Sequence, residues 1–106
     1  MNTFAAVPCA VLVLVLIVAA APAQSSEELA KQKACLTCHA MDKKVVGPSF
    51  KDIAEKYKAE KDGDKKLAAR IRAGGSGVWG QIPMPANAAV NEAEALILAK
   101  WSLNAK

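Results

Sequence analysis

Cys35-Leu36-Thr37-Cys38-His39 sets two thiols three positions apart and an imidazole directly after the second. That spacing is the attachment signature of a c-type haem, in which the thiols bond the two vinyl groups and the imidazole ligates iron. Other chemistry accounts for less of the motif. A closed zinc site takes four ligands, and the chain offers only Cys9, Cys35, Cys38 and His39, with Cys9 far off at the N-terminus. A thioredoxin-like pair belongs beside a strand-helix-strand pattern, whereas these flanks read as helix and loop. A structural disulfide would leave His39 without a role.

Iron held by His39 needs a partner on its other face. The chain has one histidine, which excludes a bis-histidine site within one monomer. Met1 lies in an apolar N-terminal segment, and Met41 follows His39 by two residues, a reach of about 7 Å that is too short to round a porphyrin edge. Met84 is the remaining methionine. It sits in Ile82-Pro83-Met84-Pro85, where prolines fix the backbone on both sides of the thioether. The surrounding stretch from Gly74 to Val90 has no helical period, and so long an irregular segment in a small domain is usually functional or disordered. A lone methionine can simply fill a gap in a core, but ligation by histidine and methionine gives this loop a purpose and raises the reduction potential.

These residues need elements to hold them. Ser25-Ser26-Glu27-Glu28 reads as a reciprocal cap, opening a helix over Ser26 to Cys35 with Leu29 inward and Lys31 and Lys33 toward water. A loop ends at Gly47-Pro48. Ser49, with Asp52 in the reciprocal position, caps a second helix whose Phe50, Ile53, Ala54 and Tyr57 fall on one face. A third helix over Lys65 to Ala73 buries Leu67, Ala68 and Ile71 and stops at Gly74-Gly75. Asn91 and Glu94 cap the last helix, which is apolar nearly all round and should pack on more than one side through Ile97, Leu98 and Trp101.

Residues 1–23 carry no charge and end in Ala21-Pro22-Ala23, which predicts a signal peptide cleaved after Ala23 and an exported domain of residues 24–106. The segment lacks the usual opening Lys or Arg. The rival reading, an uncleaved membrane anchor, needs about 20 apolar residues, and Pro8 interrupts an already short run. A chain of the remaining size needs a staple to complete its core, and a covalent haem would supply one. The charged residues, 14 basic and 10 acidic for a net +4, alternate along helical faces. That pattern lacks the clustered basic element of a nucleic-acid binder. Lys31, Lys33, Lys43 and Lys44 flank the haem motif as candidates for steering acidic partners.

Cys35-Leu36-Thr37-Cys38-His39, Val46-Gly47-Pro48, the run Gly77-Val78-Trp79-Gly80-Gln81-Ile82-Pro83-Met84-Pro85 and Ala99-Lys100-Trp101 together resemble the short bacterial class I cytochromes c of the c-551 type. The resemblance spans essentially all of residues 24–106. It implies an all-α fold of four or five short helices around one covalent haem c, with the first and last helices crossing. It also implies a periplasmic single-electron carrier, not an enzyme, and we expect a monomer. Its acceptor would be a nitrite reductase or terminal cytochrome oxidase in respiration or denitrification, its donor a quinol-linked cytochrome or copper protein. By position, His39 and Met84 would be axial ligands and Cys35 and Cys38 the thioethers. The Pro48 carbonyl would accept from the imidazole, Asn87 would donate to the Met84 sulfur, and Trp79 and Arg70 would meet a propionate. At the helix crossing, alanines at 30 and 34 stand where the family often has an aromatic and a glycine.

Two other classes remain open on the residues. A haem enzyme or gas sensor needs Met84 weakly bound or displaced and polar distal groups. A thiol redox protein needs Cys35 and Cys38 free of haem.

Overall fold

The computed structural model describes residues 24–106 together with residues 2, 3, 5, 6, 8 and 10–18. The expected cleavage point after Ala23 and the side chain of Cys9 lie outside the described residues. Val11 to Val18 form neither helix nor strand and are exposed. Among the described residues no helix is long and apolar enough to cross a membrane.

Four α-helices build the domain: α1 (Ser26–Gln32), α2 (Phe50–Lys58), α3 (Gly63–Ala73) and α4 (Glu92–Leu103). This is the predicted all-α fold. Among the described residues the capping chemistry is less complete than the sequence suggests. Ser25 Oγ accepts from the Glu28 N–H and Ser49 Oγ from the Asp52 N–H, each at 3.1 Å. Only at Asn91 and Glu94 are both bonds of the reciprocal cap formed. Each such bond satisfies a helix-end N–H that would otherwise lack a partner.

Two helix boundaries shift. Helix α1 stops at Gln32 instead of reaching Cys35, because Ala34 takes a left-handed conformation with φ of 60°. The chain then re-enters as a 3₁₀ turn over Cys35–Thr37. Helix α3 starts at Gly63, two residues before the expected Lys65, where a Cβ would collide with the Tyr57 carbonyl. Glycine there lets the connector turn tightly against the end of α2.

Helix α4 packs against each of the other three. On one side Ala95 and Leu98 join Leu29 and Ala30 of α1 and the loop residue Val90. On the other, Ala99 meets Phe50, Ile53 and Tyr57 of α2 and Leu67 of α3. Ala30, Ala95 and Ala99 are each fully buried, so small side chains set the close approach at the crossings. Ile97, expected in the core, is 46 % exposed. Trp101 fits the expectation better, standing edge-on to Phe50 with centroids 4.8 Å apart.

Candidate haem site

The 3₁₀ turn positions the thiols. The His39 and Cys38 N–H groups both donate to the Cys35 carbonyl, at 3.1 and 3.3 Å. The loop after the motif folds back on it, with the Val46 and Gly47 N–H groups both reaching the Cys38 carbonyl, at 3.2 and 2.8 Å. That return brings Pro48 to the imidazole, whose Nδ1 lies 2.7 Å from the Pro48 carbonyl. A carbonyl only accepts, so Nδ1 carries the proton and Nε2 keeps its lone pair for a metal. Phe50 stands against the ring, with centroids 5.4 Å apart.

Met84 comes from the irregular segment between α3 and α4. Gly75 and Met84 exchange both backbone hydrogen bonds at 2.9 Å, an isolated antiparallel bridge that pins the methionine to the end of α3. Asn87 adds two more ties, its N–H to the Arg72 carbonyl at 3.1 Å and its side-chain amide to the Ile71 carbonyl at 3.2 Å. These carbonyls lie in the last turn of α3, which lacks helical partners of its own.

Both segments open on one cavity of about 610 Å³. Its lining includes every residue that the sequence assigned to contact with the haem: Cys35, Cys38, His39, Pro48, Arg70, Trp79, Met84 and Asn87. The walls between them are largely apolar, with Ile53, Leu67, Ile71 and Leu98 supplied by α2, α3 and α4. A space of this size and polarity suits a large flat apolar ligand with a few polar contacts at its rim. Arg70 lines the cavity and directs Nη1 to the Gly74 carbonyl at 3.4 Å. Met41 is exposed and does not line it.

The rival chemistries fare worse. Burial pushes the Cys35 thiol up, disfavouring the thiolate that a dithiol redox site uses. Among the described residues no group of three or more His, Cys, Asp or Glu side chains is placed to hold a metal ion.

Sequence reasoning missed three parts of the site. Gly47 was legible only as turn punctuation, yet a Cβ there would stand 2.5 Å from His39 Cε1. Gly74 reads as a helix stop, yet its missing side chain also leaves room for the Met84 carbonyl. Lys33 was expected to face water and to be free for a partner. Its ammonium instead donates to the Ala89 carbonyl at 2.8 Å and pairs with Glu94 at 3.3 Å. No pattern in the sequence marks those contacts, which join residues distant along the chain.

The family model for cytochrome c matches residues 23–104. The cytochrome c-551 of Azotobacter vinelandii is 55 % identical over 83 residues, covering 78 % of this chain and 100 % of that protein. The cytochrome c-551 of Pseudomonas aeruginosa is 50 % identical over 84 residues, covering 79 % of this chain and 80 % of its own. The crystal structure of wild-type Nitrosomonas europaea cytochrome c552 superposes with a TM-score of 0.73 at 51 % identity, covering 76 % of this chain and 99 % of that one.

Proposed function

This chain belongs to the cytochrome c family and carries one covalently bound haem c as an electron carrier, and from that premise we propose how its own residues serve the task. Cys35 and Cys38 would form the thioether links, and His39 and Met84 would ligate the iron. When bound, the haem supplies an iron that cycles between ferric and ferrous states. With His39 and Met84 both committed to the iron, no ligand position would be left for a substrate, which suits electron exchange and not catalysis.

The observation that carries this reading is the state of His39. Its Nδ1 is committed to the Pro48 carbonyl, so Nε2 is the free ligand atom, and the bond fixes the ring plane. Met84 is supported by its bridge to Gly75 on the same cavity. Asn87 spends one amide hydrogen on Ile71 and retains a second for the Met84 sulfur. Trp79 and Arg70 offer an indole N–H and a guanidinium to a propionate.

Residues 1–23 serve as a signal peptide cleaved after Ala23, which delivers residues 24–106 to the periplasm. The acceptor is a nitrite reductase or a terminal oxidase, the donor a quinol-linked cytochrome or copper protein. Exposed Val46, Val78 and Ile82 line the mouth of the cavity and give partners an apolar rim to approach. Lys43 and Lys44 are exposed beside it and steer acidic partners in a salt-dependent manner.

The test is absorption spectroscopy of the exported holoprotein and of Met84→Ala, ferric and ferrous, with and without carbon monoxide. The parent should show the weak long-wavelength ferric band of a sulfur-to-iron bond and ignore carbon monoxide, and the variant should lose both properties. Ready binding of carbon monoxide by the parent would favour a sensor or enzyme instead.

A further inference from the structure

The methionine segment is held at its far end by two cations from different helices. Lys33, at the C-terminal end of α1, donates Nζ to the Ala89 carbonyl at 2.8 Å. Arg72, in the last turn of α3, donates Nε to the Val90 carbonyl at 3.3 Å. The two acceptors are consecutive. Between them and Met84 lies Asn87, which ties the chain to the carbonyls of Ile71 and Arg72. The Lys33 side chain is only 21 % exposed and its ammonium also faces Glu94 at 3.3 Å, while the Arg72 guanidinium reaches Glu92 at 3.9 Å.

We propose that Lys33 and Arg72 are positioning residues for the axial methionine, a two-point clamp on the Ala89 and Val90 carbonyls that keeps the Met84 segment closed on the haem. The inference rests on Met84 being an axial ligand. The segment has no helical or sheet hydrogen bonding of its own from Ser76 to Pro83 apart from the Gly77 to Gly80 turn. Its position therefore depends on what grips its two ends. The Gly75–Met84 bridge closes the stretch from Ser76 to Pro83, and beyond Met84 the chain is gripped by the Asn87 ties, the buried Val90 and the clamp. Charged donors make the stronger class of hydrogen bond to a carbonyl, and both cations bind backbone atoms, so the grip does not depend on the side chains at 89 and 90. Loss of either cation loosens the end of the segment, where Val90 stays packed against α1 and α4, and raises the population in which Met84 would leave the iron.

The test uses imidazole as a probe of that open population, since it binds ferric iron only where Met84 has departed. The holoproteins compared are the parent, Lys33→Met, Arg72→Met, Glu94→Gln and Ser25→Ala. Imidazole affinity is read from the loss of the long-wavelength ferric band, and global stability from denaturant unfolding of the helical signal. Lys33→Met and Arg72→Met should each bind imidazole about five- to tenfold more tightly, the size expected for one charge-assisted bond in a partly exposed setting. Glu94→Gln leaves the ammonium on Ala89 and should bind as the parent does. Ser25→Ala removes the α1 cap far from the segment, so it should lower the denaturant midpoint without changing imidazole affinity.

Parental affinity in both clamp variants overturns the proposal, as does an equal gain in Ser25→Ala, which would mark a general loosening. A parent without the ferric sulfur band fails the Met84 reading itself, before any variant is compared.

Discussion

Gly47 lies so close under the His39 imidazole that a Cβ at that position would stand 2.5 Å from Cε1 and 3.0 Å from Nδ1. The residue next along, Pro48, supplies the carbonyl that Nδ1 bonds. One dipeptide therefore sets both the height of the ring above the backbone and its rotation.

Gly47→Ala should force the imidazole away from the Pro48 carbonyl. Overpacking a fixed ring costs roughly 1–3 kcal/mol, and we expect a loss of that size in holoprotein stability by denaturant titration. The reduction potential should move with it, because the bond to Nδ1 tunes the ligand. An unchanged potential would show that the ring does not need this spacing.

The glycines of the methionine segment should differ sharply. Gly74 combines φ of 66° with ψ of −153°, a region open in practice only to glycine, and a Cβ there would meet the Met84 carbonyl and stand 2.7 Å from the Pro85 carbonyl carbon. Gly77 also has a positive φ but nothing within 4 Å of its absent Cβ. Gly74→Ala is expected to abolish the ferric sulfur band. Gly77→Ala should keep the band and lose about 1–3 kcal/mol for backbone strain alone.

Ala34 is the non-glycine residue that leads into the haem motif with φ of 60°. A left-handed L-residue costs about 1–2 kcal/mol, and glycine removes that strain at the expense of roughly 0.5–1 kcal/mol of chain entropy. Ala34→Gly should therefore raise stability by roughly 0.5–1 kcal/mol, as measured by the denaturant midpoint. A loss of stability would mean the turn is not strained.

Acid should weaken the α4 cap. The Asn91 backbone N–H, followed by the Lys33 ammonium, holds the Glu94 carboxyl below the usual carboxylate range. A carboxyl depressed in the folded state adds stability that is complete above the unfolded pKa and is lost as pH falls through the folded one. The denaturant midpoints of the parent and Glu94→Gln should therefore differ near neutrality and converge as pH drops below about 4. Parallel profiles down to the acid limit would show that Glu94 is not the group responsible.

The amino-acid sequence by itself determined the chemistry and the helix pattern. Cys35, Cys38 and His39 are informative because covalent attachment constrains spacing along the chain, and Met84 stands out because one histidine leaves few other ligands. The stripe of Phe50, Ile53, Ala54 and Tyr57 appears buried as its period predicts, since a helix face is a local property. Only the tertiary structure decided the left-handed break at Ala34, the spacing role of Gly47 and the outward turn of Ile97. It also turned Lys33 from a free surface charge into a tie on Ala89. The Lys33 tie joins positions 56 residues apart, and the others depend on how the chain folds back on itself, which neither periodicity nor residue type records.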